Sequence, residues 1–269
     1  MEEKRRVLME MLHNYARQDV CLAFSGGIDS SLLLRLCRDA AKEHGTRLYA
    51  VTFDTVLHPS VDRETASRVA AENDVFHEIL EVNELEKQEI RLNPRNRCYL
   101  CKKNLFSKLL DFAQKKGVPS IIEGTNYDDL SQYRPGLKAV RELGIKSPLL
   151  EAGLTKAEIR EWARDLGISV AERPSTPCLA TRLPYGAEID LDLLKRIGEG
   201  EAALRALGFW NVRIRVHGDI LRLELDKDTF AKALEHQEAM MEILKKVGPR
   251  YITLDLEGFR SGSMDEPRP

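Results

Sequence analysis

Residues 21–36 read CLAFSGGIDSSLLLRL, which sets Ser25-Gly26-Gly27 and then Asp29-Ser30 between an apolar run and a leucine-rich run. Glycines let backbone N–H groups crowd together, and the N-terminus of a following helix carries positive partial charge. Together they make an anion seat suited to phosphate. Asp29 adds a carboxylate that could hold Mg²⁺ beside it. The turn has neither the lysine nor the spacing of a Walker A loop. A Gly-Gly turn between strand and helix is also an ordinary connection, so its surroundings must decide between the two readings.

Cysteine supplies the second chemistry. Five cysteines, odd in number and unevenly spaced, argue against a secreted disulfide framework and for a reducing cytoplasm, where Cys98-x-x-Cys101 reads as metal or redox chemistry. Cys178 lies in RPSTPCLATRLPYG, where Pro174 and Pro177 fix a non-helical loop. Three thiolates leave one iron of a four-iron cluster open to an outside ligand. Structural zinc wants four closed ligands, and only the fold could bring His58 or His77 to complete such a site. Cys178 can equally be a small buried hydrophobe, as Cys21 and Cys37 are expected to be in the first strand and helix.

Arginine supplies the third. In NVRIRV, Val212, Ile214 and Val216 alternate with Arg213 and Arg215; after a tight turn, Leu221, Leu223 and Leu225 alternate with Arg222 and Glu224. If the apolar sets share a core face, the three arginines and Glu224 share the other. That face is either solvated or an anion clamp.

The elements that must position these groups are legible in the patterning. The 269 residues carry a net charge of −2, which gives no global pull toward nucleic acid, and no apolar run is long enough to span a membrane. Strands are predicted at Val20–Phe24, Leu48–Phe53, Val75–Val82 and Val118–Glu123, with helices near 31–44, 62–73 and 102–116. Thr155-Lys-Ala-Glu158 reads as a capping box opening a helix that buries Ile159, Trp162, Ala163 and Leu166. The N-terminal stretch, charged throughout, reads as an amphipathic helix and not a signal peptide. Strand–helix alternation implies a parallel sheet with helices on both faces, and ligands in such sheets sit at the carboxyl ends of the strands. Beyond residue 185 the expectation is a small α+β domain: a helix near 191–207, the hairpin, a helix near 229–246 and the strand YITLDL. The tail after Phe259 is expected to be disordered.

With these residues in hand, AFSGGIDSSLLL, EGTNYDDL and SPLLEAGLTKAEIREWARDLGI resemble, in order, the motifs of the PP-loop ATP pyrophosphatases. RCYLCKK, RPSTPCLATRLPYG and RIRVHGD narrow the likeness to the LarE family of sulfur-inserting enzymes, over nearly the whole chain. The resemblance implies a PP-loop adenylylation domain (1–185) and a C-terminal α+β domain (186–269) for substrate binding or oligomerisation. It implies that ATP is split to AMP and pyrophosphate, with a carboxylate of a pyridinium dicarboxylate mononucleotide adenylylated and then converted to a thiocarboxylate for a nickel-pincer cofactor. Ser25, Gly26, Gly27, Asp29 and Ser30 match the pyrophosphate motif, while Thr52, Phe53, Gly124, Thr125 and Asn126 fall where adenine, ribose or pyrophosphate is met. Asp128 and Asp129 could meet Mg²⁺ or cap the next helix. Sulfur would come either from a [4Fe–4S] cluster on Cys98, Cys101 and Cys178 or from Cys178 itself, sacrificed. Arg213 and Arg215 match a clamp for the substrate phosphate. Arg182, Tyr185, Glu201 and Glu224 could meet substrate or metal, although Glu201 cannot be told firmly from Glu199. ATP, Mg²⁺ and the cluster are the expected cofactors. The expected partners are the mononucleotide, sulfide or a sulfur donor, and further copies of the chain, with neither nucleic acid nor membrane. A tRNA thiolation enzyme would share the adenylylation chemistry but calls for a basic surplus that the chain lacks. An ammonia-using synthetase would give Cys178 no role, and a non-enzymatic nucleotide-binding module would leave Asp29 idle.

Overall fold

The computed structural model describes residues 1–131, 133–173, 177–260 and 262–264; Pro174 and most of the tail expected to be disordered lie outside them. The chain forms two compact units, one of residues 1–84 with 96–176, the other of residues 85–95 with 177–269. The units part after Thr176 instead of near 185, and a short internal segment belongs with the C-terminal one.

In the first unit the elements are α1 (Glu2–Tyr15), β1 (Val20–Ala23), α2 (Ile28–His44), β2 (Leu48–Thr55), α3 (Ser60–Glu72) and β3 (Phe76–Val82). The helix α4 (Gln88–Arg91) falls in the other unit; the first resumes with α5 (Arg97–Lys116), β4 (Ser120–Ile122), α6 (Gly136–Glu142), α7 (Pro148–Glu151) and α8 (Lys156–Asp165). The four strands pair in parallel in the order β3-β2-β1-β4, with Val20 opposite both Leu48 and Ser120. Alternation along β1 and β2 feeds two cores. Val20, Leu22 and Ala50 join residues of α1, α2, α3 and α8. Cys21, Tyr49 and Val51 join Phe106, Leu109 and Ala113 of α5 and Val140 of α6. The doubly covered parallel sheet is therefore present. One boundary matters for chemistry: α5 begins at Arg97, not near 102, and so takes in Cys98 and Cys101. No helix of the described residues is long and apolar enough to cross a membrane.

The capping box forms as its spelling predicts. Thr155 Oγ1 accepts from the Glu158 amide, and Glu158 Oε2 accepts from the Thr155 amide at 2.9 Å. Lys4 from α1 adds its ammonium at 2.8 Å. Burial would raise the Glu158 carboxyl, but Lys4 and the Thr155 amide and hydroxyl outweigh it and hold the group at about 2. A lowered carboxyl stabilises the native state above its unfolded value of about 4.3 and loses that contribution as pH falls through its folded value. Glu158→Gln is therefore expected to cost roughly 1 kcal/mol near neutral pH, and urea melts should show the gap closing as pH is lowered toward 2.

The second unit adds α9 (Leu191–Ala206), β5 (Arg213–His217), β6 (Ile220–Glu224), α10 (Phe230–Glu235), α11 (Gln237–Lys245) and β7 (Tyr251–Leu254). β5 and β6 make the expected antiparallel hairpin, and β7 pairs in parallel with β6. Val212, Ile214, Leu221, Leu223 and Leu225 are all buried, as the alternation requires. α9 meets this sheet at Gly200, where a Cβ would stand 2.9 Å from Ile214 Cδ1. The helix expected over 229–246 is broken at His236 into α10 and α11.

Candidate active site

The first unit builds its site at the carboxyl ends of β1 and β4. Gly26 has φ +69°, and a Cβ there would stand 2.8 Å from the Ala66 backbone nitrogen, so the turn needs glycine for conformation and for space. Hydroxyls tie the loop to the first turn of α2. Ser25 N–H donates to Ser30 Oγ (3.3 Å), Ser30 Oγ donates to Gly27 O (3.1 Å), and the Ser31 amide closes on Gly27 O (2.9 Å). The connection after β4 packs directly on this turn: a Cβ on Gly124 would lie 3.1 Å from the Ser30 nitrogen. Asn126 Nδ2 donates to Asp29 Oδ1 at 3.4 Å. Ser25, Gly26, Gly27, Asp29, Ser30, Gly124 and Asn126 thus come together.

Asp29 is the electrostatic centre. Burial raises its carboxyl above the usual aspartate value; Lys156 and Asn126 pull it down, Asp129 pushes it up, and the net effect is a rise. Lys156 Nζ forms an ion pair with Asp29 Oδ2. A carboxyl that stays raised beside a lysine leaves room for further positive charge at the turn. The oxygen donors of Asp29, Asp129 and Asn126 fit the hard-donor preference of Mg²⁺. Asp128 takes the capping role instead: its Oδ2 accepts from the Lys156 amide at 2.8 Å, at the start of α8.

Other expected residues are committed to the frame. Thr52 Oγ1 donates to Phe24 O (2.7 Å) and therefore accepts from His77 Nε2 (2.8 Å), locking the ends of the first two strands together. Phe53 packs against Phe106 with ring centroids 6.2 Å apart. Thr125 is buried, and its amide donates to Glu123 Oε1 at 3.0 Å. Burial works against ionisation of Glu123, but Lys102 (3.1 Å), Ser147 and Thr125 hold the carboxyl below its usual value.

Cys98 and Cys101 lie three residues apart in the first turns of α5, the first exposed and the second half-buried. The buried Arg97 places Nη2 3.7 Å from Cys98 Sγ. Two cysteines one helical turn apart could supply two ligands of a cluster. Among the described residues, no three His, Cys, Asp or Glu side chains converge as a metal-holding group.

In the second unit, Cys178 precedes a short turn (Leu179–Arg182), and its carbonyl accepts from Thr181 Oγ1 at 2.7 Å. Arg182 and Glu201 form a bidentate pair at 2.7 and 2.8 Å, 1% and 2% exposed. Glu201 points into the unit while Glu199 is exposed, which separates the two candidates by helical phase. Arg215 makes a second bidentate pair with the fully buried Glu224 at 3.2 and 3.0 Å, and donates to Thr181 O at 2.7 Å.

The arginine face is not an open, solvated one. Arg213 is 8% exposed and Arg215 5%. Five guanidiniums (Arg182, Arg205, Arg213, Arg215 and Arg222) gather around three carboxylates, Glu201, Glu224 and Asp255. Arg213 shows the imbalance. Burial first, then Arg182, Arg205 and Arg215, push it down to about 10, and among the described residues no carboxylate reaches ion-pair distance of it. A surplus of positive charge on a largely covered face suits an anion.

Lys156 and Lys102 escaped the sequence reading as site residues. Lys156 stood inside the quoted GLTKAEIREW stretch as part of a helix start, and nothing local ties it to Asp29, 127 residues away.

Comparison with known proteins agrees with this geometry. A family model described as a PP-loop domain matches residues 1–112. The chain is 34% identical to pyridinium-3,5-bisthiocarboxylic acid mononucleotide synthase of Lactiplantibacillus plantarum, across 98% of this chain and 94% of that protein. It is 35% identical to an uncharacterized protein of Synechocystis over 91% of both chains. It is 31% identical to an uncharacterized protein of Methanocaldococcus jannaschii, over 92% of this chain and 93% of that one. With this identity over nearly the whole of both chains and a PP-loop domain at its start, the chain belongs to the LarE family of PP-loop ATP-dependent sulfurtransferases.

Proposed function

We propose that this enzyme activates a carboxylate of a pyridinium dicarboxylate mononucleotide with ATP and exchanges the activated oxygen for sulfur. The observation that carries the reading is the convergence of Asp29, Asn126 and Lys156 on the Ser25–Ser30 turn. A carboxylate oxygen of the substrate attacks the α-phosphorus, the α–β phosphoanhydride bond breaks, and pyrophosphate leaves into the seat of N–H groups and hydroxyls. Lys156 offsets the charge that develops, and Asp29 would hold a Mg²⁺ whose charge would add to that effect. A sulfur nucleophile then attacks the acyl carbon, and AMP departs with the former carboxylate oxygen. The buried arginine face supports Arg213 and Arg215 as the holders of the substrate phosphate, with Arg182 fixing Glu201 behind them.

For the sulfur, the reading is that Cys98, Cys101 and Cys178 hold a [4Fe–4S] cluster. Such a cluster, when bound, supplies an open iron at which sulfide can be carried. The pairing of Cys98 and Cys101 on one helix favours this, because sacrifice of Cys178 needs only one cysteine. Incubation with Mg²⁺-ATP, sulfide and pyridinium-3,5-dicarboxylate mononucleotide should yield AMP, pyrophosphate and a thiocarboxylate identified by mass. ADP and orthophosphate as products would defeat the assignment.

The arginine face makes a separate prediction. Arg213→Ala should weaken mononucleotide binding by roughly 1.5–3 kcal/mol, the scale of a charge-assisted hydrogen bond. It should lower the melting temperature far less than Arg182→Ala does, since Glu201 feels Arg213 only at a distance and keeps Arg182 and Arg205. Arg182→Ala strands Glu201 without its main partner and should cost about 3–5 kcal/mol of stability. Calorimetric titration and thermal melts on both variants separate the anion seat from the frame; equal stability losses would deny the distinction.

A further inference from the structure

The chain beyond β7 returns across the arginine face of its own unit. Phe259 N–H donates to Leu225 O at 2.7 Å, which carries the tail past the end of β6. Its ring lies 5.1 Å from the Arg213 guanidinium. The turn Gly262–Met264 then lies against the charged pair itself. Ser263 Oγ donates to Glu224 Oε1 at 2.7 Å and accepts from Arg215 Nη2 at 3.2 Å. Arg222 Nη2 approaches Met264 Sδ at 3.5 Å. These contacts add to the covering of a face that the strand alternation alone would leave open.

The same contacts lie over the face a phosphate would need. Arg215 gives Nε and Nη2 to Glu224 and Nη1 to Thr181 O, Ser263 takes a further share of Nη2, and the Phe259 ring stands against Arg213. We propose that the turn Gly262–Met264 is a strap that competes with the substrate phosphate for the Arg213–Arg215 face and must swing aside for the mononucleotide to enter. This rests on the reading of Arg213 and Arg215 as the phosphate seat. The tie is weak enough to release. A serine hydroxyl and a thioether are modest partners for a guanidinium, whereas a phosphate dianion offers charge-assisted bonds. Arg260 anchors the base of the strap through Glu257 at 2.7 Å.

The test compares the full chain with a chain ending at Phe259 and with Ser263→Ala. Titration with pyridinium-3,5-dicarboxylate mononucleotide should show the shortened chain binding roughly five- to tenfold more tightly, and Ser263→Ala shifted the same way by a smaller factor. Trypsin should cut after Arg260 slowly in the full chain and several-fold faster with saturating mononucleotide, read by the mass of the released C-terminal peptide. Weaker or unchanged binding in both variants would overturn the strap, because the turn would then be part of the seat or irrelevant to it. Arg213→Ala distinguishes the two levels: if that variant binds normally, the phosphate seat itself is misplaced. If it binds weakly while the strap variants behave as wild type, only the strap fails.

Discussion

Asp29→Asn should lose roughly 10²–10³-fold in the rate of AMP and pyrophosphate release while the protein stays as stable as the parent or becomes more so. Both halves follow from the same electrostatics. The carboxylate is the one group at the turn able to hold a divalent cation with full negative charge, so its amide isostere removes the strongest ligand for Mg²⁺. Yet burial, reinforced by Asp129, raises that carboxyl despite Lys156. A group whose folded pKa lies above its unfolded value of about 4 binds more protons when folded, so stability falls as pH rises between the two values. The neutral variant lacks that slope. Chemical denaturation of both proteins across pH 4–7 should show wild type losing ground relative to Asp29→Asn, while product analysis shows turnover collapsing. A variant that lost stability together with activity would mark Asp29 as structural. Lys156 remains soluble without its partner because its side chain is 32% exposed.

Cys178→Ala should abolish thiocarboxylate formation altogether yet leave AMP production by the first unit intact, because the adenylylating residues and Cys178 belong to separate compact units. What Cys98→Ala and Cys101→Ala do then separates the sulfur sources. With the proposed cluster, anaerobically prepared protein should contain about four irons per chain, and each of the three substitutions should lose most of them. Wild type supplied with sulfide should turn over repeatedly, and its Cys178 should keep its mass. Sacrifice predicts one turnover, Cys178 lighter by hydrogen sulfide, and indifference to Cys98 and Cys101. Iron analysis, which does not depend on activity, and intact-mass spectrometry after turnover decide between them. Active protein with zinc and no iron would reject the cluster. Cys21 and Cys37 offer internal controls: burial pushes both thiols up to about 12, so neither should react in the same samples.

Short-range features of this chain were legible from its sequence because their physics is local. The Ser25–Ser30 turn needs only a strand, two glycines and a helix start, all within ten residues. The Thr155–Glu158 box needs four residues, and the alternation in NVRIRV fixes which side chains share a face before any partner is known. Repetition of strand and helix was enough to call the parallel sheet. Its solvent exposure was another matter. Whether Arg213 and Arg215 face water depends on what lies over them, which includes Phe259 and, beyond it, Ser263 and Met264 of a tail whose composition suggested no structure at all. The decisive charges were settled at long range too. Lys156 meets Asp29 only because α8 packs on α2, Glu201 becomes the partner of Arg182 only through the rotation of α9, and residues 85–95 join the C-terminal unit against the order of the chain. A lysine's reach and a glutamate's burial are set by the packing of helices whose sequences do not encode each other. The chemistry was therefore written locally, while its electrostatic tuning belongs to the tertiary fold.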